Sequence, residues 1–176
     1  MEDNPRFKIN DVVIYGSSGV CLVKDICALD IDNVDNTKQY YVLEPLYSEG
    51  SIIYSPVDNG RTVMRKILTK AEAQELITRI PSIETFWVDD RKMREERCKQ
   101  ALSTYNCYEI VRIIKTLYLR KEALVQQKKP ASQIDERYLR TAEDLLYGEL
   151  AIPLEIPKEQ VQGYIMEQVE KMLNLA

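Results

Sequence analysis

The sequence predicts an α+β fold in which a small β module is followed by an all-α helical bundle. Three observations carry that expectation. Up to about residue 65 the apolar residues alternate with a period of two, the spacing that places them on one face of a strand. Asp/Asn/Gly-rich segments at 30–37 and 58–60 interrupt this pattern as turns do. Beyond Pro81 the apolar period becomes 3.6 and no strand pattern returns.

The stretch FKINDVVIYGSSGVCLVKDI, residues 7–26, reads as two short strands joined by a Gly-containing turn. Val12 and Ile14 alternate with Val13 and Tyr15, Gly16 and Gly19 bracket the turn, and Val20, Leu22 and Ile26 resume the apolar pattern. Further strands are expected over 39–44, 51–54 and 62–65. Thr69 and Glu72 have the Thr-x-x-Glu spacing of a capping box, which opens a short helix that Pro81 stops. Five strands and that helix form a small closed module over residues 1–80, and residues 81–176 form the second domain.

In that second domain Asn106 with Glu109 marks a helix start, and Ile110, Ile113, Ile114 and Leu117 fall on one face behind it. Ser132 with Asp135 repeats the signal ahead of Leu139, Ala142, Leu146 and Leu150. Pro157 opens a last helix whose stripe is Val161, Ile165, Val169 and Met172. With a helix after Trp87, a bundle of four or five helices is expected. These stripes are core, and no ligand is assigned to them.

Composition excludes whole classes of chemistry. The chain has no histidine, which removes Ser-His and Cys-His nucleophile activation and every His-ligated metal. Its four cysteines, at 21, 27, 98 and 107, contain no CxxC pair and read as reduced thiols rather than a zinc site. No GxxxxGK[ST] loop, GxSxG elbow or spaced carboxylate cluster is present. Gly16-Ser17-Ser18-Gly19 has the spacing of a nucleic-acid GxxG loop, but that loop joins two helices, whereas this one joins strands. A non-enzyme with no cofactor and no metal is expected. At 176 residues and 45% hydrophobic the chain can bury one good core or two small ones. It has no 18-residue apolar run and no cationic-then-apolar leader, so a cytoplasmic protein without membrane contact is expected.

The net charge of -4 conceals a gradient. Residues 1–81 carry 9 basic against 12 acidic side chains, residues 82–129 carry 11 against 7, and residues 130–176 carry 4 against 9. Positive charge therefore gathers in the stretch around Trp87, where it can attract phosphates although the whole chain is acidic. Helical spacing places Trp87, Arg91 and Arg94 at i, i+4 and i+7 on one face. A protein that binds distorted duplex needs this pairing of an apolar wedge with phosphate-neutralising cations. The alternative is that the lone Trp87 anchors two modules together, with Asp90–Arg94 and Glu95–Lys99 as ordinary ion pairs on a solvated helix. Of the adjacent Phe86 and Trp87, one faces the core and the other faces out.

Phe7, Lys8, Asp11, Val13, Tyr15 and Gly19 resemble the opening of the CarD/CdnL family of bacterial RNA polymerase-binding transcription regulators, a module shared with the transcription-repair coupling factor. Tyr41-Val42-Leu43, Pro56-Val57, residues 69–80, Trp87 and the string LLYGEL at 145–150 follow in the family's order. The resemblance covers about residues 7–152. It implies a Tudor/SH3-like small β barrel that docks on the lobe of the RNA polymerase β subunit, with Leu29, Tyr54 and Pro56 at the contact and Tyr41 and Ile52 beside them. It also implies that Trp87 enters the minor groove at the upstream edge of the transcription bubble and stabilises the open promoter complex. Arg91, Lys92, Arg94, Arg97 and Lys99 are then candidate phosphate contacts, with Lys115, Arg120 and Lys121 as a second set. No base-specific readout is expected, and through polymerase the protein is placed at the nucleoid.

Three departures from the family accompany the resemblance, one being that the segment from Trp87 to Asn106 is about one helical turn longer than in those members. Asp89 and Asp90 follow Trp87 where some members carry basic residues, and Leu29 and Tyr54 stand where others use Arg. Tyr40, Tyr41 and Tyr54 also have a plainer reading as barrel packing. The competing functional expectation is a protein-interaction adaptor with no DNA role.

Overall fold

Alternating Val12–Tyr15 cannot bury both of its faces alone, and the strand it forms pairs on both edges within a sheet. The computed structural model describes residues 5–30 and 35–174. The chain divides between Ile67 and Leu68 into two compact units. In the first, β1 (Val12–Tyr15), β2 (Val20–Cys27), β3 (Tyr40–Pro45), β4 (Ile53–Pro56) and β5 (Met64–Lys66) form one antiparallel sheet in the order β4-β3-β2-β1-β5. Each strand lies within a few residues of its expected place. The β1–β2 connection is a tight 3-10 turn in which Gly16 and Gly19 take φ of 46° and 68°, a region open to glycine at no steric cost, and Tyr15 N–H closes it on the Gly19 carbonyl at 2.8 Å.

Val13, Cys21, Val23, Tyr41 and Leu43 point to one side of the sheet and are buried together with Phe7. The Tyr41 ring meets Phe7 edge to face, with centroids 5.9 Å apart, and its hydroxyl accepts the Phe7 N–H at 3.2 Å. Between Val23 and Asp25 a bulge shifts the β2–β3 register.

The closed barrel expected from the resemblance is not formed: among the described residues β4 and β5 end the sheet without pairing to each other. The connection between them has a different use for its polar groups. Asn59 Nδ2–H donates to the buried Ser55 hydroxyl at 3.2 Å, its Oδ1 accepts Arg61 N–H, and its backbone N–H bonds the Pro56 carbonyl. The turn expected at 30–37 falls partly on residues 31–34, outside the described residues, although Asp35 does close a bend by accepting from Thr37 N–H and Oγ1–H. The expected lack of an N-terminal leader concerns residues 1–4 in part, which also lie outside them.

The second unit holds α1 (Lys70–Arg79), α2 (Arg91–Ser103), α3 (Cys107–Gln126), α4 (Gln133–Leu154) and α5 (Lys158–Asn174). Its division from the first falls before α1, not at 80/81, because Ala73, Leu76 and Ile77 of α1 are buried in the helical core and α1 packs on α4 and α5. The expected caps are present. Thr69 and Glu72 make both bonds of the capping box, Asn106 Oδ1 accepts from Tyr108 and Glu109 N–H, and Ser132 Oγ accepts from Asp135 N–H. Three connections use left-handed, non-glycine residues: Tyr105 (φ 49°), Lys128 (φ 54°) and Glu155 (φ 57°). At the second, Lys129 N–H reaches back to the Leu124 carbonyl at 2.9 Å, which satisfies an acceptor at the end of α3.

Ile110, Ile113, Leu117, Ala142, Leu146, Leu150 and Val161 fill this core, as the stripes predict. The buried Glu149 carboxylate accepts the Leu68 N–H at 3.0 Å and contacts the Cys107 thiol at 3.1 Å. The four cysteines form no disulfide, and burial pushes Cys21 and Cys98 up to about 11, where no thiolate forms at neutral pH. No helix among the described residues is long and apolar enough to cross a membrane. Truncating the fully buried Ile113 removes three carbons from α3 and leaves a cavity. Ile113→Ala should therefore lower unfolding free energy by about 3 kcal/mol in urea titration.

Candidate functional site

Trp87 stands in an irregular segment ahead of α2, not on a helix. Asp90 is the N-cap of α2, its carboxylate accepting Met93 N–H at 2.8 Å, so the helix starts at Arg91 and the face expected to join Trp87, Arg91 and Arg94 does not exist. The signal was present in the sequence: Asp90 is a preferred N-cap residue three positions before Met93.

The segment is nonetheless held firmly. Phe86 N–H donates to the buried Thr116 hydroxyl at 3.1 Å, and Thr116 in turn donates to the Arg112 carbonyl. Arg94 Nη1 donates to the carbonyls of Val88 and Asp89, each at 3.0 Å. With its backbone fixed on both sides, residue 87 has little freedom except in its side chain. Phe86 turns inward to the core, and Trp87 turns outward with 55% of its surface exposed. One aromatic of the pair thus faces the core and the other faces out.

The cations fall into two groups. Arg94 is buried and its Nε bonds the Asp135 carboxylate at 3.0 Å; Arg120 bonds the other oxygen of Asp135 at 3.1 Å, and its guanidinium carbon lies 5.7 Å over the Trp87 ring. Lys115 is also internal in its chemistry, with Nζ donating to the carbonyls of Ile80, Pro81 and Ile83 at 2.8, 3.1 and 2.6 Å. Partial burial lowers the Lys115 ammonium below its ordinary range. Arg94 and Lys115 are therefore committed to the fold, because bonds to other chain segments use their donors, whereas Arg120 is committed through Nε and its Nη1 lies 3.8 Å from the exposed Asp89 carboxylate.

Arg91, Lys92, Arg97 and Lys121 are exposed, and Lys99 is exposed with a 3.5 Å pair to Glu95. Arg97 lies 5.7 Å over Phe86 at the rim of a hollow of about 200 Å³, opposite Arg112. Asp135 and Thr116 were not singled out as site residues. Asp135 was legible only as a cap partner, since its pairing with Arg94 spans 41 positions.

In the first unit, Ile52 and Tyr54 are exposed on and beside the end strand β4, and Pro56 is half-buried. Tyr41 and Leu29 are buried, so of the expected contact residues only Ile52, Tyr54 and Pro56 present side-chain surface. Alternation explains the split: Tyr41 belongs to the core face, whereas Tyr54 pairs with Val42 on the opposite face. Leu46 and Tyr47, exposed in the β3–β4 connection, add apolar surface that was not anticipated. Two large apolar residues within a turn were the available signal.

Residues 7–68 match the family model of the CarD-like/TRCF RID domain, consistent with a CarD-like family member and a transcription-related protein that interacts with RNA polymerase. No curated protein matches the chain significantly.

Arg94→Ala would leave Asp135 and two carbonyls without their buried donor and should lower unfolding free energy by about 3 kcal/mol. Arg97→Ala, at the surface, should change it by less than about 0.5 kcal/mol, and urea denaturation of the two variants checks the contrast.

Proposed function

We propose that this protein is a non-enzymatic transcription regulator that docks through its β unit on the lobe of the RNA polymerase β subunit and contacts promoter DNA through its helical unit just upstream of the melted region. The observation that carries the DNA half of this reading is the exposure of the sole indole on a backbone pinned at Phe86, Val88 and Asp89. A large apolar side chain on a rigid base can enter a partly unstacked step without losing much conformational freedom, and so slow the collapse of the bubble. Arg91, Lys92, Arg97, Lys99 and Lys121 are the exposed cations that meet flanking phosphates, Lys99 from a solvent-exposed pair with Glu95. Arg94 and Lys115 support them from within, and Arg120 lies over the indole ring. The contacts carry no base readout, and position comes from polymerase and the shape of the melted junction.

The docking half is supported by the match over residues 7–68 and by the end strand β4. An end strand offers backbone N–H and carbonyl groups to a partner strand, with Ile52 and Tyr54 as apolar side-chain contacts beside them. Where other family members use Arg, Tyr54 makes this chain's contact more apolar, while Leu29 is buried and takes no part in it.

The adaptor reading has one observation in its favour: Tyr118, Leu119 and Val125 of α3 are exposed large apolar residues, the side-chain type that protein partners cover. Trp87→Ala separates the two. Under the DNA reading the variant keeps polymerase binding but shortens the lifetime of open complexes on a fluorescently labelled promoter; an unchanged lifetime supports the adaptor. Tyr54→Glu should weaken binding of the full chain to polymerase about tenfold by burying an uncompensated charge at the contact. If about three phosphates are neutralised, DNA-dependent affinity falls with salt at a log-log slope near -3, and a slope near zero argues against the basic surface.

A further inference from the structure

The Trp87 indole and the Arg120 guanidinium converge on a single carboxylate oxygen. Trp87 Nε1–H donates to Asp89 Oδ1 at 2.9 Å, and Arg120 Nη1 lies 3.8 Å from the same atom. Arg120 thus meets two acids, and they differ in kind. The Asp135 side chain is 13% exposed and also holds Arg94, so it is a fixed part of the interior. The Asp89 side chain is 85% exposed, and its backbone is held separately through the carbonyl bonded by Arg94. Its carboxylate can therefore leave by rotation about its own side-chain bonds, with no movement of the chain.

What it would leave behind is an indole N–H and a guanidinium edge, side by side at an aromatic ring that solvent reaches. Both are donors, and one carries a full charge that Asp135 orients from behind. Such a pair suits an anionic oxygen of tetrahedral geometry, above all a phosphate, which accepts charge-assisted hydrogen bonds from several directions. An exposed carboxylate paired with an arginine is held weakly in water, so a phosphate delivered at high local concentration can replace it.

We propose that Trp87 Nε1–H and Arg120 form a single-phosphate site that Asp89 occupies in the free protein, and that a DNA backbone phosphate takes its place when the indole engages the duplex. The proposal rests on the DNA-contact reading above. Asp89 then sets specificity: it repels the phosphates of ordinary duplex met at random and yields only where another contact holds DNA in position. Arg120 is a binding residue of the site: it supplies the charge, and its place over the ring fixes the plane of Trp87.

Because Trp87 is the chain's only tryptophan, its fluorescence reports on this site alone. The full chain, Asp89→Asn and Asp89→Asn/Arg120→Gln are compared for quenching by iodide and by neutral acrylamide at constant ionic strength. Asparagine keeps an acceptor of the same shape but removes the charge. The iodide quenching constant should rise about threefold in Asp89→Asn, the effect of one charge a few ångströms away in a watery dielectric, with acrylamide quenching nearly unchanged. The double variant should lose that gain. In parallel, anisotropy of a labelled duplex with an unpaired bubble should show tighter binding by Asp89→Asn, with a salt slope steeper by about 1.

An iodide constant that does not move in Asp89→Asn overturns the site. Duplex bound equally by all three proteins with one common slope also overturns it, while the DNA reading stands. A rise in iodide quenching with no duplex binding by any variant upholds the anion site and overturns the DNA reading.

Discussion

The Asp135 carboxylate, shared between two guanidinium groups, is the constraint on which the geometry of the helical unit's exposed face depends. One oxygen holds Arg94 of α2 and the other holds Arg120 of α3, while the residue itself sits in the first turn of α4. Three helices are thus tied at one point. The same Arg94 reaches past Asp135 to the backbone carbonyls beside Trp87, so the irregular segment is fixed by the pair that fixes the helices. A buried ion pair is seldom a large net source of stability, because desolvation offsets most of the attraction. Its effect here is to specify one arrangement: the planar guanidinium of Arg94 satisfies three acceptors in set directions, and only one placement of residues 88 and 89 allows it.

That interaction also marks the boundary of what local sequence could disclose. Helix starts at Lys70, Cys107 and Gln133 were legible because the caps Thr69, Asn106 and Ser132 bond backbone groups two or three positions away. Strand positions were legible from alternation, and the core stripes from the 3.6 period. The burial of Arg94 was not, since an arginine among charged neighbours reads as solvated unless its partner 41 residues later is known. Reading Trp87 into a helix came from extending a periodicity upstream of the residue that ended it. Asp89 and Asp90 were weighed as charges, although Asp90 acts as a cap and Asp89 as a hydrogen-bond acceptor.

The β unit shows a parallel limit. Five strands in sequence order could be read, but whether a sheet closes depends on where its two end strands finish. Here β5 is three residues long and pairs with β1, and β4 pairs with β3 alone. Nothing in the alternation of either strand distinguishes that outcome from closure. The Asn59 turn leaves Ser55 buried with its hydroxyl bonded, so the open side is finished chemically, not frayed.

Lys128 ends α3 in a conformation that costs an L-residue about 1 kcal/mol and a glycine almost nothing. Its side chain is exposed, and the backbone bonds that define the stop, from Lys128 and Lys129 to the last turn of α3, need no side chain at all. The helical unit therefore holds a reserve of stability, reachable at a surface position away from both its core and its exposed indole. Such a reserve is room for the chain to absorb a costly substitution elsewhere, so that changes on the Trp87 face can be tolerated without loss of the fold.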